Sequence, residues 1–393
     1  MINPSKNEER SDVFLPPSTI GILGGGQLGR MMALEAREMG YRVITLDPTE
    51  DSPCGQVADR QIVARFDSLQ GAKQLAQSAD VITYEFENIG VQVAELLENE
   101  STLPQGYTLL YKTQNRLREK KAIEQAGISV APYRAVRCEE EVDSALHDLG
   151  YPVVLKTTEG GYDGKGQWVI RSPEEVHPIK KMLKNEGSKG MTWVMEAWVP
   201  FKHEISCIVA RNARGECQPF PIAENIHQEN ILHLSVAPAR ISEEIRREAT
   251  RTAVQLAESM QLIGLLAIEM FVLDDGMLYV NELAPRPHNS GHYTQQACLT
   301  SQFEQHIRAI CNLPLGDVSI KQPTVMVNIL GEHLADVLHK LPNMDPSFKV
   351  HLYGKAEVRP KRKMGHLNVV ADDVHTAIEK IQSLHIWNME AIQ

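Results

Sequence analysis

The chain has 393 residues, of which 42% are hydrophobic and 23% are charged, and its formal net charge is −11 at pH 7. This length allows about two or three domains, and the acidic balance argues against nucleic-acid or anionic-membrane partners. No apolar run reaches the roughly 18 residues of a membrane span, and residues 1–18 show no signal-peptide pattern. The six cysteines form no C-x-x-C pair, so we predict reduced thiols and a cytoplasmic protein.

The first predicted elements alternate between strand and helix. A short apolar strand starts at Thr19, a helical pattern runs from Gln27 to a stop at Gly40, and further strands are "YRVITLD", "QIVARF" and "DVITYEFE". Such alternation predicts a parallel α/β sheet. The polar residues 1–18 are predicted to be a peripheral extension before this sheet.

The turn between the first strand and helix contains a glycine motif. Gly24, Gly26 and Gly29 read as G-x-G-x-x-G, and Asp47 closes the next strand about twenty residues on. This is the fingerprint of a dinucleotide-binding unit. An NAD-dependent dehydrogenase is one hypothesis, and a helix N-terminus that holds another phosphate is the alternative.

The pattern changes after about residue 110. A helix ends at Gly127, closely spaced strands with glycine turns predict antiparallel sheet, and Ser242 is a predicted N-cap of a long helix. The segment "EGGYDGKGQ" follows Lys156 and has glycine amides that can approach a phosphate. It lacks the Lys-Ser/Thr ending of a Walker A loop, so a flexible hairpin tip is the alternative.

A later hairpin is predicted to bring two glutamates together. If Asp275-Gly276 is a two-residue turn, Glu269 lies directly opposite Glu282. Like charges at such positions repel, and Mg²⁺ would remove the conflict, with Asn281 as a third oxygen ligand. Two surface glutamates on an ordinary hairpin are the alternative. The following "NELAPRPHNSGH" supplies an arginine suited to a phosphoryl group.

Six segments taken in order resemble the ATP-grasp family: "GGGQLGRM", "YEFEN", "GGYDGKGQ", "ENIH", "NELAPRPHNSGH" and "KMGHLN". Within it, they look like the enzymes that carboxylate aminoimidazole ribonucleotide in purine biosynthesis. The resemblance implies a mixed α/β and α+β fold. Its expected parts are an N-terminal Rossmann-like α/β domain (19–115), an ATP-grasp small lobe with the flap (116–195), a large lobe with the metal and carboxyphosphate site (196–320) and a C-terminal domain (321–393).

The resemblance also implies a reaction and partners. ATP and bicarbonate would give carboxyphosphate, and this intermediate, or CO₂ released from it, would carboxylate the exocyclic amine of the ribonucleotide. The products would be the carbamate, ADP and phosphate, and the implied metal is Mg²⁺, with Mn²⁺ as a substitute. Similar enzymes are homodimers, so a homodimer is expected.

Residue roles follow from the same resemblance. It assigns the ATP phosphates to Arg116 and Lys156, and the flap to Gly161, Tyr162, Asp163, Gly164, Lys165, Gly166 and Gln167. It assigns Glu196, Ala197, Trp198 and Val199 to the hinge, a segment that contacts adenine through backbone groups. It assigns further nucleotide contacts to Glu204, His227, Asn281 and Glu282. It assigns the metal to Glu269, Asn281 and Glu282, and bicarbonate and carboxyphosphate to Arg286, His288 and Asn289.

The ribonucleotide is assigned to Gly26, Gln27, Leu28, Tyr162, Asp163, Lys355 and Arg362. Asp163 would accept a hydrogen bond from the exocyclic amine, and Lys355 would offset charge on the incoming carboxyl group. On this interpretation the glycine loop faces the ribonucleotide, and Asp47 only ends a strand. The basic run "KAEVRPKRKMGH" would bind phosphate, although such runs are often solvated faces.

Three other hypotheses compete with this one. A dehydrogenase explains only the first fifty or so residues, and a non-catalytic nucleotide sensor would be expected to lack the metal ligands that are present. A sister enzyme, the formate-dependent glycinamide ribonucleotide transformylase, fits the flap and the basic run less well. One departure from the family pattern is Glu229-Asn230, where relatives often carry an acidic residue and glycine.

Overall fold

The computed structural model describes residues 13–161, 165–187 and 191–389, so the predicted flap residues Tyr162, Asp163 and Gly164 lie outside it. The first sheet has the strands β1 (Thr19–Leu23), β2 (Arg42–Asp47), β3 (Arg60–Val63) and β4 (Val81–Tyr84). All are parallel, in the order β3-β2-β1-β4, which confirms the predicted α/β region. Its helices are α1 (Gln27–Glu38), α2 (Leu69–Ser78), α3 (Val91–Glu100) and α4 (Gly106–Thr113).

Helix α1 starts and stops where its glycines predict. The chain leaves β1 through Gly24, whose positive φ of 109° is a conformation that favours glycine. The helix is followed by Gly40, which also has a positive φ, of 90°. The apolar face of α1 packs against Phe303 and Ile307 of a later helix, so the glycine loop is fixed to a distant part of the chain.

The second sheet forms the small lobe. Its strands are β5 (Tyr133–Val136), β6 (Val153–Thr157), β7 (Gln167–Ile170) and β8 (Trp193–Ala197), in the antiparallel order β5-β8-β6-β7. Its helices are α5 (Arg116–Gln125), α6 (Glu139–Leu149) and α7 (Val176–Gly187). The proposed boundary after residue 195 falls inside β8, because Glu196 and Ala197 pair with Val154 and Val153.

The third sheet has nine antiparallel strands. They are β9 (His203–Arg211), β10 (Cys217–Pro219), β11 (Ala223–Gln228), β12 (Ile231–Ala237), β13 (Gly264–Val272), β14 (Leu278–Ala284), β15 (Thr324–Leu330), β16 (Phe348–Leu352) and β17 (Lys363–Val370). Their order is β14-β13-β9-β11-β12-β15-β17-β16, with β10 on β9. The helices here are α8 (Glu243–Ser259), α9 (Thr294–Ala297), α10 (Gln302–Ile310), α11 (Leu334–Lys340) and α12 (Val374–Ser383). Ser242 caps α8 as predicted.

The C-terminal segment extends this large-lobe sheet. β15 pairs antiparallel with β12, so the boundary proposed at residue 321 does not separate two sheets. This pairing covers an edge of β12 that would otherwise be open. It also brings the basic segment before β17 beside the large lobe. In the described residues, no helix combines the length and the apolar character needed to cross a bilayer.

Candidate active site

A cavity of about 1090 Å³ lies where the three sheets meet. Every predicted site residue that the structure describes lines it: Gly26, Gln27, Leu28, Arg116, Lys156, Gly161, Lys165, Gly166, Gln167, Glu196, Ala197, Trp198, Val199, Glu204, His227, Glu269, Asn281, Glu282, Arg286, His288, Asn289, Lys355 and Arg362. These residues come from all parts of the chain, so only the folded protein brings them together.

The carboxylate hairpin, β13 and β14, has the predicted register but not the predicted turn. Glu269 is opposite Glu282. The two-residue turn is wrong, because Leu273 N donates to Met277 O at 2.9 Å and Gly276 N donates to Leu273 O at 3.0 Å. Gly276 has φ 84°, which completes a three-residue loop of a common hairpin type.

A β-bulge compensates for the longer loop. Met270 pairs with Val280 but Glu269 pairs with Glu282, so Asn281 is an additional residue on β14. A bulge re-aims side chains, and here both Asn281 and Glu282 line the cavity. Asn281 Oδ1 is buried, and no described residue donates a hydrogen bond to it.

These oxygens form an arrangement suited to a hard cation. Burial, followed by repulsion from Glu204 and Glu282, raises the pKa of Glu269 well above its ordinary value. A divalent cation would relieve that repulsion and satisfy the amide oxygen of Asn281. In the described ranges no group of three or more His, Cys, Asp or Glu side chains has metal-binding geometry. Two carboxylates and an amide leave coordination positions open, as Mg²⁺ prefers when it also binds phosphate oxygens and waters.

An arginine and a histidine lie beside this arrangement. Arg116 Nη1 is 3.3 Å from Glu282 Oε2. His288 Nε2 is 3.6 Å from Glu269 Oε1, but burial, and then the charge of Arg286, lowers the pKa of His288 well below its usual value. His288 is therefore a neutral imidazole, and its Nδ1 lies 2.9 Å from Ser290 Oγ.

The predicted phosphate ligand Lys156 has an acidic partner. Its Nζ donates to Glu196 Oε2 at 2.8 Å, and Lys120 Nζ lies 3.2 Å from the other oxygen, Oε1. Burial alone would raise the pKa of Glu196, but Lys156 and Lys120 outweigh it and hold the pKa at about 2. Sequence reasoning missed Lys120, since "REKKAIEQ" reads as an ordinary charged helix.

The hinge side of the cavity has an aromatic wall that sequence reasoning also missed. Phe201 and Phe271 stack with ring centroids 4.6 Å apart and an interplanar angle of 6°, and both line the cavity with Trp198. Flat aromatic faces suit a purine base. Nearby, Glu204 Oε2 is 3.0 Å from His227 Nδ1, which joins two of the predicted nucleotide contacts.

Arg286 is held by a carboxylate from the first sheet. Glu87 Oε1, from the "YEFEN" segment after β4, lies 3.1 Å from Arg286 Nε. The sequence predicted "YEFEN" as a family segment but predicted no role for Glu87. The amide of Asn289 pairs reciprocally with that of Asn328 at 3.0 and 2.8 Å, so part of its hydrogen-bonding capacity is used within the protein.

The glycine loop requires a correction. The amides of Gly26 and Gly29, which were expected to face a substrate phosphate, donate to the two carboxylate oxygens of Glu85. The Glu85 carboxyl group, whose pKa is raised by burial, already occupies the position where the helix N-terminus favours an anion. Asp47 does end β2 as predicted, and it also accepts a hydrogen bond from Gly25 N at 2.8 Å.

Basic side chains lie next to this loop on the C-terminal segment. Lys355 Nζ donates to Gln27 Oε1 at 2.5 Å and to Lys363 O at 2.7 Å. Burial, and then the charge of Arg362, lowers the pKa of Lys355 to about 8. Lys355, Arg362 and Lys363 all line the cavity, and Lys363 was not predicted.

Comparison with known proteins agrees with the geometry. Three family models match in order: a ribonucleotide synthetase preATP-grasp domain at residues 18–110, an ATP-grasp domain at 121–303 and a phosphoribosylaminoimidazole carboxylase C-terminal domain at 324–380. The N5-carboxyaminoimidazole ribonucleotide synthase of Bacillus subtilis (strain 168) is 48% identical over 94% of this chain and 96% of its own length.

Solved structures give the same result. An N5-carboxyaminoimidazole ribonucleotide synthetase in complex with ADP has a TM-score of 0.92 and 55% identity, covering 96% of this chain and 98% of its own. The Aspergillus clavatus enzyme, solved with ADP and 5-aminoimidazole ribonucleotide, has a TM-score of 0.86 and 32% identity, covering 94% and 97%.

The cavity lies between an antiparallel small lobe and a large lobe that carries paired carboxylates. This arrangement defines an ATP-grasp enzyme, and here a ligase that forms a carbon–nitrogen bond. The chain belongs to the N5-carboxyaminoimidazole ribonucleotide synthase family.

Proposed function

We propose that this protein carboxylates 5-aminoimidazole ribonucleotide with bicarbonate at the expense of ATP, giving N5-carboxyaminoimidazole ribonucleotide, ADP and phosphate. The single observation that carries the proposal is the composition of one cavity. One part of its lining is the glutamate pair with the amide oxygen of Asn281, unpaired among the described residues, and another part is the basic side chains next to the N-terminus of α1. We also propose that it acts in the cytoplasm as a homodimer, as expected from its relatives.

The nucleotide would lie between the small and large lobes. The aromatic wall of Phe201 and Phe271 supports a place for the base, and Lys156 and Arg116 support a place for the phosphates. Glu269, Asn281 and Glu282 would hold Mg²⁺ together with phosphate oxygens. When bound, the ion supplies charge neutralisation at the oxygens of the transferred phosphoryl group.

The first chemical step is phosphoryl transfer to bicarbonate. A bicarbonate oxygen attacks the γ-phosphorus, the bond from that phosphorus to the bridging oxygen breaks, and ADP leaves, so the product is carboxyphosphate. Arg286 carries a fixed positive charge at this side of the cavity and is oriented by Glu87. Such a preorganised cation stabilises charge that develops in the transition state.

The second step forms the carbon–nitrogen bond. The exocyclic amine nitrogen attacks the carboxyl carbon, or CO₂ released from carboxyphosphate, and phosphate leaves with the electron pair of the carbon–oxygen bond. The nitrogen loses a proton, which the released phosphate accepts, to give the carbamate. Asp163 remains our proposed partner of the amine, and Lys355 and Arg362 are proposed to hold the anionic groups of the ribonucleotide.

The competing dehydrogenase hypothesis receives no support from the glycine loop. In a dinucleotide site the loop amides face the pyrophosphate and the acidic residue faces a ribose. Here Glu85 accepts from Gly26 N and Gly29 N, and Asp47 accepts from Gly25 N. The loop amides and the acidic side chain that NAD would contact are therefore already hydrogen-bonded within the protein.

The proposal is tested by measuring ADP release while each substrate is omitted in turn. We expect full turnover only with ATP, Mg²⁺, bicarbonate and aminoimidazole ribonucleotide together, with the carboxylated product formed in proportion to ADP. ADP release that does not respond to the ribonucleotide would overturn the assigned substrate.

A further inference from the structure

A fully buried lysine lies behind the nucleotide site. Lys120, on α5, is 1% exposed, and its Nζ lies 3.2 Å from Glu196 Oε1. Glu196, on β8, is 3% exposed, and its second oxygen accepts from Lys156 Nζ at 2.8 Å. One buried carboxylate therefore has two ammonium partners.

The two lysines differ in their access to the cavity. Lys156 lines the cavity and Lys120 does not, within the part of the chain that the structure describes. Helix α5 also carries Arg116, four residues before Lys120 and so on the same helical face. Its Glu119 accepts from Leu283 N of the carboxylate hairpin at 2.8 Å, so α5 is tied to the proposed metal site.

The charge balance changes when a nucleotide binds. On the proposed function, Lys156 must turn its ammonium group from Glu196 toward the phosphates. If Lys156 were the only cation there, this movement would leave a buried carboxylate unpaired, and the equilibrium would shift back toward the Lys156–Glu196 ion pair. A second cation that stays in place removes that penalty.

We propose that Lys120 is a positioning residue for ATP: it keeps Glu196 paired so that Lys156 is released to bind the phosphates. Its own position is secured by burial and by the ring of Tyr133, whose centroid is 5.7 Å from Nζ. Lys120 acts through Lys156 and touches no substrate. The inference rests on the proposed function, because it requires nucleotide phosphates at Lys156.

The test compares three variants by calorimetric titration with ADP and with a non-hydrolysable ATP analogue. Lys120→Met should weaken binding by about tenfold to a hundredfold, since Glu196 then retains Lys156 as its only partner. Lys121→Met is the matched control, because Lys121 is the next residue on α5 and is exposed, and its binding should equal that of the wild type. In steady state, Lys120→Met should raise KM for ATP and leave KM for the ribonucleotide within about twofold.

The double variant Lys120→Met/Glu196→Gln distinguishes positioning from simple loss of structure. A neutral glutamine does not retain Lys156, so nucleotide affinity should rise at least about threefold above that of Lys120→Met even if the melting temperature stays below that of the wild type. Affinity that falls in parallel with melting temperature in both variants, or that is unchanged in Lys120→Met, would overturn the inference. If the wild type itself binds neither nucleotide, the proposed function fails first.

Discussion

The glycine loop and the carboxylate hairpin are two polar regions of one cavity with opposite electrostatics. The loop presents backbone donors at a helix N-terminus, and the carboxyl groups of Glu85 and Asp47 accept hydrogen bonds from them. The hairpin presents acceptors, and the oxygen of Asn281 has no donor among the described residues. Three amides of the glycine loop thus have partners within the protein, whereas the carboxylate hairpin is left to bind a cation.

This difference shows that a motif predicts the backbone conformation of a loop better than it predicts which group binds to the loop amides. The loop has the conformation of a phosphate-binding turn, but Glu85, the residue after β4, already places a carboxyl group against its amides. Binding of a substrate anion at this end therefore depends on Lys355 and Arg362 more than on the amides of Gly26 and Gly29. The predictions below test each region in turn.

The largest effect is expected at the hairpin. Glu282→Gln should lower ATP turnover about a thousandfold, because a metal-ligating charge worth several kcal/mol is lost. Arg116 loses its partner while Glu269 loses a repelling neighbour, so the melting temperature without Mg²⁺ should change little. ADP release and thermal unfolding measure the two quantities.

The matched control is Asp274→Asn at the exposed tip of the same hairpin, which should behave as the wild type. Normal turnover in Glu282→Gln would refute the metal role of this glutamate.

A second test removes the support of Arg286. Glu87→Gln keeps the shape of the side chain but not its charge, so Arg286 loses the partner at 3.1 Å that orients it. We expect kcat to fall by about tenfold to a hundredfold with KM for ATP little changed. Glu95→Gln on α3 is exposed and is the control. An unchanged kcat would mean that Arg286 needs no orientation from the first sheet.

The third test addresses the glycine loop. A Cβ at Gly26 would lie 2.6 Å from Glu85 Oε1, so Gly26→Val should displace the Glu85 carboxylate. We expect KM for aminoimidazole ribonucleotide to rise about tenfold, because the displaced carboxyl group interacts with Lys355, which we propose binds this substrate. KM for ATP should stay within about twofold. Gly90→Val is a close control, because Gly90 also precedes a helix of this domain and its Cβ would meet no atom within 4 Å.

NADH provides an independent measurement on the same loop. Fluorescence titration of the wild type should detect no saturable binding at millimolar concentration. Saturable binding that Gly26→Val abolishes would revive the dehydrogenase hypothesis.

The smallest effect is a pH dependence at Lys355. Burial, and then Arg362, lowers its pKa from 10.5 to about 8, so the ammonium charge is present below that pH and is lost as pH rises through it. kcat/KM for the ribonucleotide reports the free enzyme and should fall about threefold between pH 7.5 and 8.5. Lys355→Arg should remove this decline, since arginine stays protonated. A decline that persists in Lys355→Arg belongs to another group.

The sequence by itself determined the local features of this protein. Periodicity and turn residues predicted helix α1 with its glycine ends and the Ser242 cap, because these depend on neighbours within a few residues. The alternation of strands and helices along the chain predicted the parallel first sheet. The ordered motifs were enough to identify the family and many of the residues that line the cavity, but not Phe201, Phe271 or Lys363. The opposition of Glu269 and Glu282 was also predicted, although the three-residue loop and the bulge at Asn281 were not.

Only the tertiary structure decided which groups pair with the predicted residues. Glu85 on the loop amides, Glu87 on Arg286 and Lys120 on Glu196 are contacts between residues 56 or more positions apart in the chain. The joining of β15 to the large-lobe sheet is equally non-local. Charged residues such as these look like solvent-exposed positions in a sequence, because burial and a partner arise only when distant elements pack together.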